Sequence, residues 1–215
     1  MLMVLVCIPM VCAEPLVIGH RGSMHDGIGN TLSAIEKGGS ANFIEIDIRV
    51  TQDKKLVVFH DHSINGKRIR DMTLHEIRRI PLPNKEKIPT LQDVFARFPS
   101  IKFVLDIKDK NVKKLVTTET KGQDVILIGT YNVIKEYEGN VGLVVPFKDV
   151  KNMMMFLFSP SFIVDRATRI GATILILPSQ FTQKSLLQKV PKSINVWSYG
   201  ENVNENIDGT ITKYP

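Results

Sequence analysis

The chain predicts an α/β fold, a (β/α)8 barrel, on three observations. Short β-rich apolar runs alternate with segments of helical periodicity from Leu16 to the end of the 215-residue sequence, the pattern of repeated strand–helix units on a parallel sheet. The first run leads into His20-Arg21-Gly22, not into the Gly-rich turn of a doubly wound nucleotide-binding sheet. Of nine runs, one follows its predecessor after only five residues. A parallel crossover needs a dozen or more, so that run drops out of the ring and eight remain. An open α/β sheet is the alternative reading of the same pattern.

The elements follow in order. Leu16–Gly19 is the first strand and Thr31–Lys37 the first helical stretch. Phe43–Val50 is the second strand; Leu56–Phe59, tied to it by Thr51-Gln52-Asp53-Lys54-Lys55, must return antiparallel as a hairpin arm. Leu74–Ile80 and Leu91–Phe98 have helical spacing. Thr73 precedes Glu76 by the capping-box interval, and Thr90 before Asp93 predicts an N-cap without the full box. Strands at Phe103–Ile107, Val125–Ile128, Val141–Pro146, Thr173–Leu177, Ile194–Ser198 and Thr210–Thr212 complete the ring. Helices are expected at Val112–Lys121, Tyr131–Glu138, Val150–Leu157 and Lys184–Val190. Residues 14–215 thus make one barrel domain of about 200 residues, near the lower size limit. Ser63–Pro89 leaves room for a lid but not for a large inserted domain.

Residues 1–13 are uncharged and apolar, and end in Val11-Cys12-Ala13. They resemble a signal peptide but lack its basic n-region, and they are too short to cross a ~30 Å hydrocarbon core as a helix. An extension from an upstream start site and a strand packed on the fold are the other readings. The expected location is cytoplasmic or peripheral to a membrane, or secreted if the segment is a leader. Met153–Phe158, six large apolar residues in a row, cannot all face inward from one helix. They are either a helix end running into a buried loop or a surface patch touching lipid or a partner subunit. Oligomeric state has no signature.

Composition excludes several classes. The only cysteines, Cys7 and Cys12, sit in that first segment, so neither a disulfide framework nor a cysteine zinc site fits the body. The net charge of +6 suits an anionic partner. A single Trp and 7% aromatics, without basic interleaving, argue against a nucleic-acid platform. GxxxxGK[ST], GxGxxG and HExxH are all missing from the sequence.

Catalytic groups of a barrel sit at the carboxyl ends of its strands. The first strand delivers His20 and Arg21; the second carries Glu45 and Asp47 two apart, on one face. The arm ends at His60-Asp61, and the next strand holds Asp106 and Lys108. Any one carboxylate has a structural reading, as a partner of Arg21, Arg49 or Lys108, and a lone strand-end His is usually structural. A whole cluster in apolar strands is harder to explain that way, because unpaired buried charge is expensive. Oxygen ligands suit Mg²⁺, Ca²⁺ or Mn²⁺. Basic groups beside such an ion suit a phosphate, and two His suit proton transfer near neutral pH. The residues point to metal-assisted phosphodiester or phosphoryl-transfer chemistry.

The same residues carry a resemblance. Leu16–Gly22, Asn30-Thr31, Ile44–Asp53, Val57–Asp61, Leu105–Lys108, Val196-Trp197-Ser198 and Ile207–Pro215, in that order, resemble the glycerophosphodiester phosphodiesterase family among the phospholipase C-like phosphodiesterase barrels. The resemblance implies a hydrolase yielding glycerol 3-phosphate and an alcohol from a small glycerophosphodiester. It implies Glu45, Asp47 and Asp106 as metal ligands, His20 and His60 as acid and base, Arg21 and Lys108 on the phosphate, and Trp197 as a wall of the substrate pocket. Two departures stand out. Gly29 replaces the family's usual Glu before Asn-Thr, and Asp106 replaces its Glu, shortening that ligand by one methylene. Both point to weaker metal binding. A related barrel acting on another phospholipid-derived diester, and a weakened barrel that only binds phosphorylated ligands, are the alternatives.

Overall fold

The computed structural model describes residues 14–25, 28–145, 160–182, 184–200 and 207–215. Eight strands form the ring: β1 (Leu16–His20), β2 (Phe43–Val50), β6 (Phe103–Ile107), β7 (Val125–Gly129), β8 (Val141–Val144), β9 (Ile174–Pro178), β10 (Asn195–Tyr199) and β11 (Gly209–Thr212). Each pairs parallel with its neighbours, and β11 returns to β1. The missing numbers belong to three short strands outside the ring. The arm β3 (Leu56–Val58) runs antiparallel along the end of β2, as the five-residue connection requires. The pair β4 (Ser63–Ile64) and β5 (Lys67–Arg68) forms a small hairpin.

Two cores follow from strand alternation. Ile18, Val104, Ile126, Ile128, Ile174, Ile176, Trp197 and Ile211 fill the ring interior. Residues on the outer strand faces, such as Ile44, Ile46, Leu105 and Leu175, pack in a second cluster with helix residues such as Ile35, Leu91, Val94 and Ile163. The covering helices include α1 (Leu32–Lys37), α3 (Leu91–Arg97), α4 (Lys113–Glu119), α5 (Tyr131–Ile134), α6 (Pro160–Arg169) and α7 (Lys184–Leu187); α2 (Leu74–Ile77) lies in the excursion after β3. That excursion has its own small core of Val57, Ile69, Met72, Ile77 and Ile88.

Three details differ from the sequence reading. Thr90 makes a complete capping box, because Asp93 returns a bond to the Thr90 N–H as well as donating its own N–H to the hydroxyl. Aspartate is long enough for the reciprocal bond. The β4–β5 hairpin escaped notice although Asn65-Gly66, both at positive φ, is the dipeptide that two-residue turns favour. Helix α6 was also missed. Pro160 opens it, and Ile163, Val164 and Ala167 form its buried stripe. The helix expected at Val150–Leu157, the apolar run Met153–Phe158, the segment 1–13 and the end of the strand expected at Val141–Pro146 lie outside the described residues. No helix among the described residues is long and apolar enough to cross a membrane.

The caps give a differential test. Thr130 precedes α5 without a side-chain capping bond, whereas Thr90 makes one. Thr90→Ala should lower unfolding free energy by about 1 kcal/mol, while Thr130→Ala should stay within about 0.5 kcal/mol. Urea denaturation of both variants reads the difference; equal effects would contradict the capping geometry.

Candidate active site

Inward positions of β1, β2 and β6 are apolar low in the ring and charged at the carboxyl ends. Strand register pairs His20 with Glu45 and, two residues further along β2, Asp47 with Asp106, so the two-residue period turns all four side chains to the inner face in two successive layers. Glu45, Asp47 and Asp106 are all buried. Each offers a carboxylate oxygen within 4.8 Å of the others. The three expected ligands are therefore brought together.

Two cations sit against them. Lys108 bridges Asp47 Oδ1, at 2.8 Å, and Asp106, and Arg21 Nε lies 3.1 Å from Asp47 Oδ2. Asn30 grips Asp47 twice: its side-chain N–H donates to Oδ2 at 2.7 Å, and its Oδ1 accepts the Asp47 backbone N–H at 3.0 Å. Asn30 was legible in its motif but not as a site residue. The first loop is wound tightly to make these contacts. Arg21 has φ of 56° and Asn30 of 62°, a region unfavourable for Arg by roughly 1–2 kcal/mol. The Arg21 N–H donates to Glu45 Oε2 at 3.0 Å, and its carbonyl accepts the Asn30 N–H at 2.9 Å.

Charge is not balanced. Burial, then Asp47 and Asp106, push the Glu45 carboxyl well above its ordinary value. Burial also raises Asp106 despite the opposing Lys108. At Asp47 burial is outweighed by Lys108 and Arg21, and the net shift is downward. Glu45 Oε1 is buried with no hydrogen-bond partner among the described residues. An all-oxygen set with an orphaned buried oxygen and excess negative charge fits a divalent cation.

The histidines flank this cluster. His20 Nε2 is 3.9 Å from Glu45 Oε2; burial, then Arg21, lower it to about 4, which leaves a neutral ring. Tyr199, which no sequence signal singled out, packs edge-on against His20 with ring centroids 5.5 Å apart. His60 follows the arm, is about one-third exposed, and pairs through Nδ1 with Asp61 at 2.8 Å. It lines a small cavity together with Arg21 and Asn30. Trp197 is 2% exposed and lies two residues before Tyr199, in the ring interior near Phe43 at 6.2 Å between centroids. Tyr199 thus packs beside His20, with Trp197 two residues earlier on the same inner face.

Gly29 has a steric reason. A Cβ there would lie 2.5 Å from Arg21 Cβ, closer than side chains tolerate. The position where a carboxylate was expected is backed by the Arg21 side chain that reaches Asp47.

The sequence pattern of the glycerophosphoryl diester phosphodiesterase family matches residues 20–212. The chain belongs to that family. A glycerophosphodiester phosphodiesterase of Caldanaerobacter subterraneus is 34% identical over 112 residues, 46% of each chain; the match spans about half the length of that relative. The glycerophosphodiester phosphodiesterase structure from Thermotoga maritima superposes with a TM-score of 0.76 at 24% identity, over 94% of this chain and 96% of that one. An Oleispira antarctica phosphodiesterase in complex with the product sn-glycerol-3-phosphate gives 0.72 at 20% identity, over 94% of both chains.

Two outcomes follow from the geometry. Gly29→Ala should displace Arg21 and destabilise the fold by about 1–3 kcal/mol, read from urea midpoints; an unchanged midpoint would contradict the close packing. Because its surroundings raise Glu45, the charged form opposes folding at neutral pH. Glu45→Gln should therefore stabilise the metal-free protein by about 1 kcal/mol or more while abolishing stabilisation by added Mg²⁺ or Mn²⁺. Thermal melts with and without the ion measure both effects, and a destabilised metal-free variant would refute the electrostatic account.

Proposed function

We propose that the chain is a glycerophosphodiester phosphodiesterase, releasing glycerol 3-phosphate and an alcohol from a small diester. The carrying observation is the buried cluster of Glu45, Asp47 and Asp106, with two cations and two histidines around it, at the carboxyl ends of the barrel strands. The product complex of the Oleispira relative supports the same product class here.

Glu45, Asp47 and Asp106 would hold Mg²⁺, Ca²⁺ or Mn²⁺, which supplies Lewis-acid polarisation of phosphoryl oxygens and eases loss of the hydroxyl proton. Arg21 and Lys108 take the remaining phosphate charge. His20, buried beside Glu45, accepts the proton of a glycerol hydroxyl as that oxygen attacks phosphorus. His60, on the other side, gives its proton to the departing alcohol oxygen as the P–O bond breaks. A cyclic glycerophosphate forms. Water then opens it with proton transfers in reverse, giving glycerol 3-phosphate. A cavity of about 220 Å³ between the first loop and Leu82–Pro83, lined also by Phe59, His60 and Asp61, supports a path for the alcohol on the His60 side.

The test is turnover of glycerophosphocholine. His20→Ala and His60→Ala should each lower it roughly 10²–10⁴-fold, and EDTA treatment followed by dialysis should abolish it until divalent ion is returned. Full activity after chelation, or in His20→Ala, would sink the mechanism.

A further inference from the structure

We propose that Arg49 and Asp109 are positioning residues that aim His60 at the leaving oxygen. The proposal rests on His60 as the proton donor to the departing alcohol.

His60 leaves the arm as a loop residue, and its ring is held only by Asp61 among the described residues, a side chain 70% exposed. Its direction therefore depends on its backbone. The residue before it is fixed to β2, since the Phe59 N–H donates to the Asp47 carbonyl at 2.9 Å. Arg49 stands two residues beyond Asp47 on the same face of β2, one layer nearer the rim, and its Nε donates to the His60 carbonyl at 2.9 Å. Its Nη1 lies 3.3 Å from Asp109 Oδ1, and Asp109 Oδ2 accepts the Val50 N–H at 2.9 Å. Arg49 and Asp109 side chains are 11% and 10% exposed. The chain thus buries an ion pair across the ends of β2 and β6 and spends its free guanidinium edge on one carbonyl, that of His60.

A buried pair is poor value for stability alone. Its effect here is directional: the carbonyl fixes the peptide, the peptide fixes Cα, and the ring follows. An ångström of drift in a catalytic group lowers rate by as much as about 10²-fold. The loss should depend on how much the leaving oxygen needs a proton. A choline alkoxide needs one as the P–O bond breaks, and the proton moves from His60 to that oxygen. A p-nitrophenolate departs as the anion without it.

The experiment compares release of choline from glycerophosphocholine with release of p-nitrophenolate from the p-nitrophenyl ester of glycerol 3-phosphate. Each is read in a single turnover with the full chain in excess and Mg²⁺ or Mn²⁺ present, so that opening of the cyclic phosphate does not enter. Arg49→Met and Asp109→Asn should lower the single-turnover rate on glycerophosphocholine about 10- to 100-fold with little change in the half-saturating concentration, and lower that on the activated ester less than about threefold. His60→Ala should show the same selectivity, more strongly. Equal loss on both substrates in the Arg49 and Asp109 variants, or no loss on either, overturns the proposal. If Arg49→Met does not fold, Arg49→Lys, which keeps the buried charge, decides by the same ratio. If His60→Ala itself loses both substrates equally, the donor assignment is wrong and the proposal falls with it. If His60→Ala is selective and the other variants are not, only the positioning role is refuted.

Discussion

Three carboxylates forced into one buried cluster set the terms for everything around them. Glu45, Asp47 and Asp106 are there because the strand register of β1, β2 and β6 turns alternate residues to the inner face in adjacent layers, and the apolar ring beneath gives them no water. Carboxylates so crowded repel one another strongly in a low-dielectric mouth. Lys108 spans two of them and Arg21 takes one, but Glu45 keeps an unpartnered oxygen. The protein is therefore assembled around a deficit of positive charge, and the deficit is the binding energy available to a cation.

The local backbone bends to that requirement. Arg21 adopts a left-handed conformation so that its N–H meets Glu45 while its side chain turns to Asp47. Asn30 adopts another, closing the loop onto Arg21 and holding Asp47 at its backbone N–H and at the same carboxylate oxygen, Oδ2, that Arg21 meets. Strain of this kind persists where surrounding bonds over-determine it, and here four separate contacts do so. Gly29 belongs to the same arrangement, because the Arg21 stem occupies the space a side chain would need.

The ring, the antiparallel arm and the three carboxylates were legible in the sequence for simple reasons. Strand length and loop length constrain topology, and charges interrupting apolar strands stand out against their surroundings. What stayed hidden depended on partners distant in the chain. Arg49 and Asp109 are 60 positions apart, and nothing in either local sequence says that one meets the other or that Arg49 reaches the His60 carbonyl. Asn30 looked like a motif residue without a task until Asp47 was placed beside it. Tyr199 followed the conspicuous Trp197 and drew no notice, although alternation puts both on the inner face. The Asn65-Gly66 turn was legible and overlooked because its strands are only two residues long.

The excursion after β3 leaves and rejoins the barrel at nearly the same point. Val57 bridges Thr90, and the Val58 N–H meets the Pro89 carbonyl at 2.9 Å, so the ends of some thirty residues meet in one short seam, with further ties from Gln52 to Met72, Asp53 to Leu74 and Ser33 to Glu86. Between the ends they bury their own apolar residues instead of borrowing the barrel's. Closing a loop whose ends are already pinned becomes only slowly harder as it lengthens. Descendants of this sequence can therefore grow, shrink or exchange the outer part of the excursion, and with it the rim beside His60. The carboxylate cluster and the strands that build it would be untouched, so the rim is free to diverge while the charged centre is inherited intact.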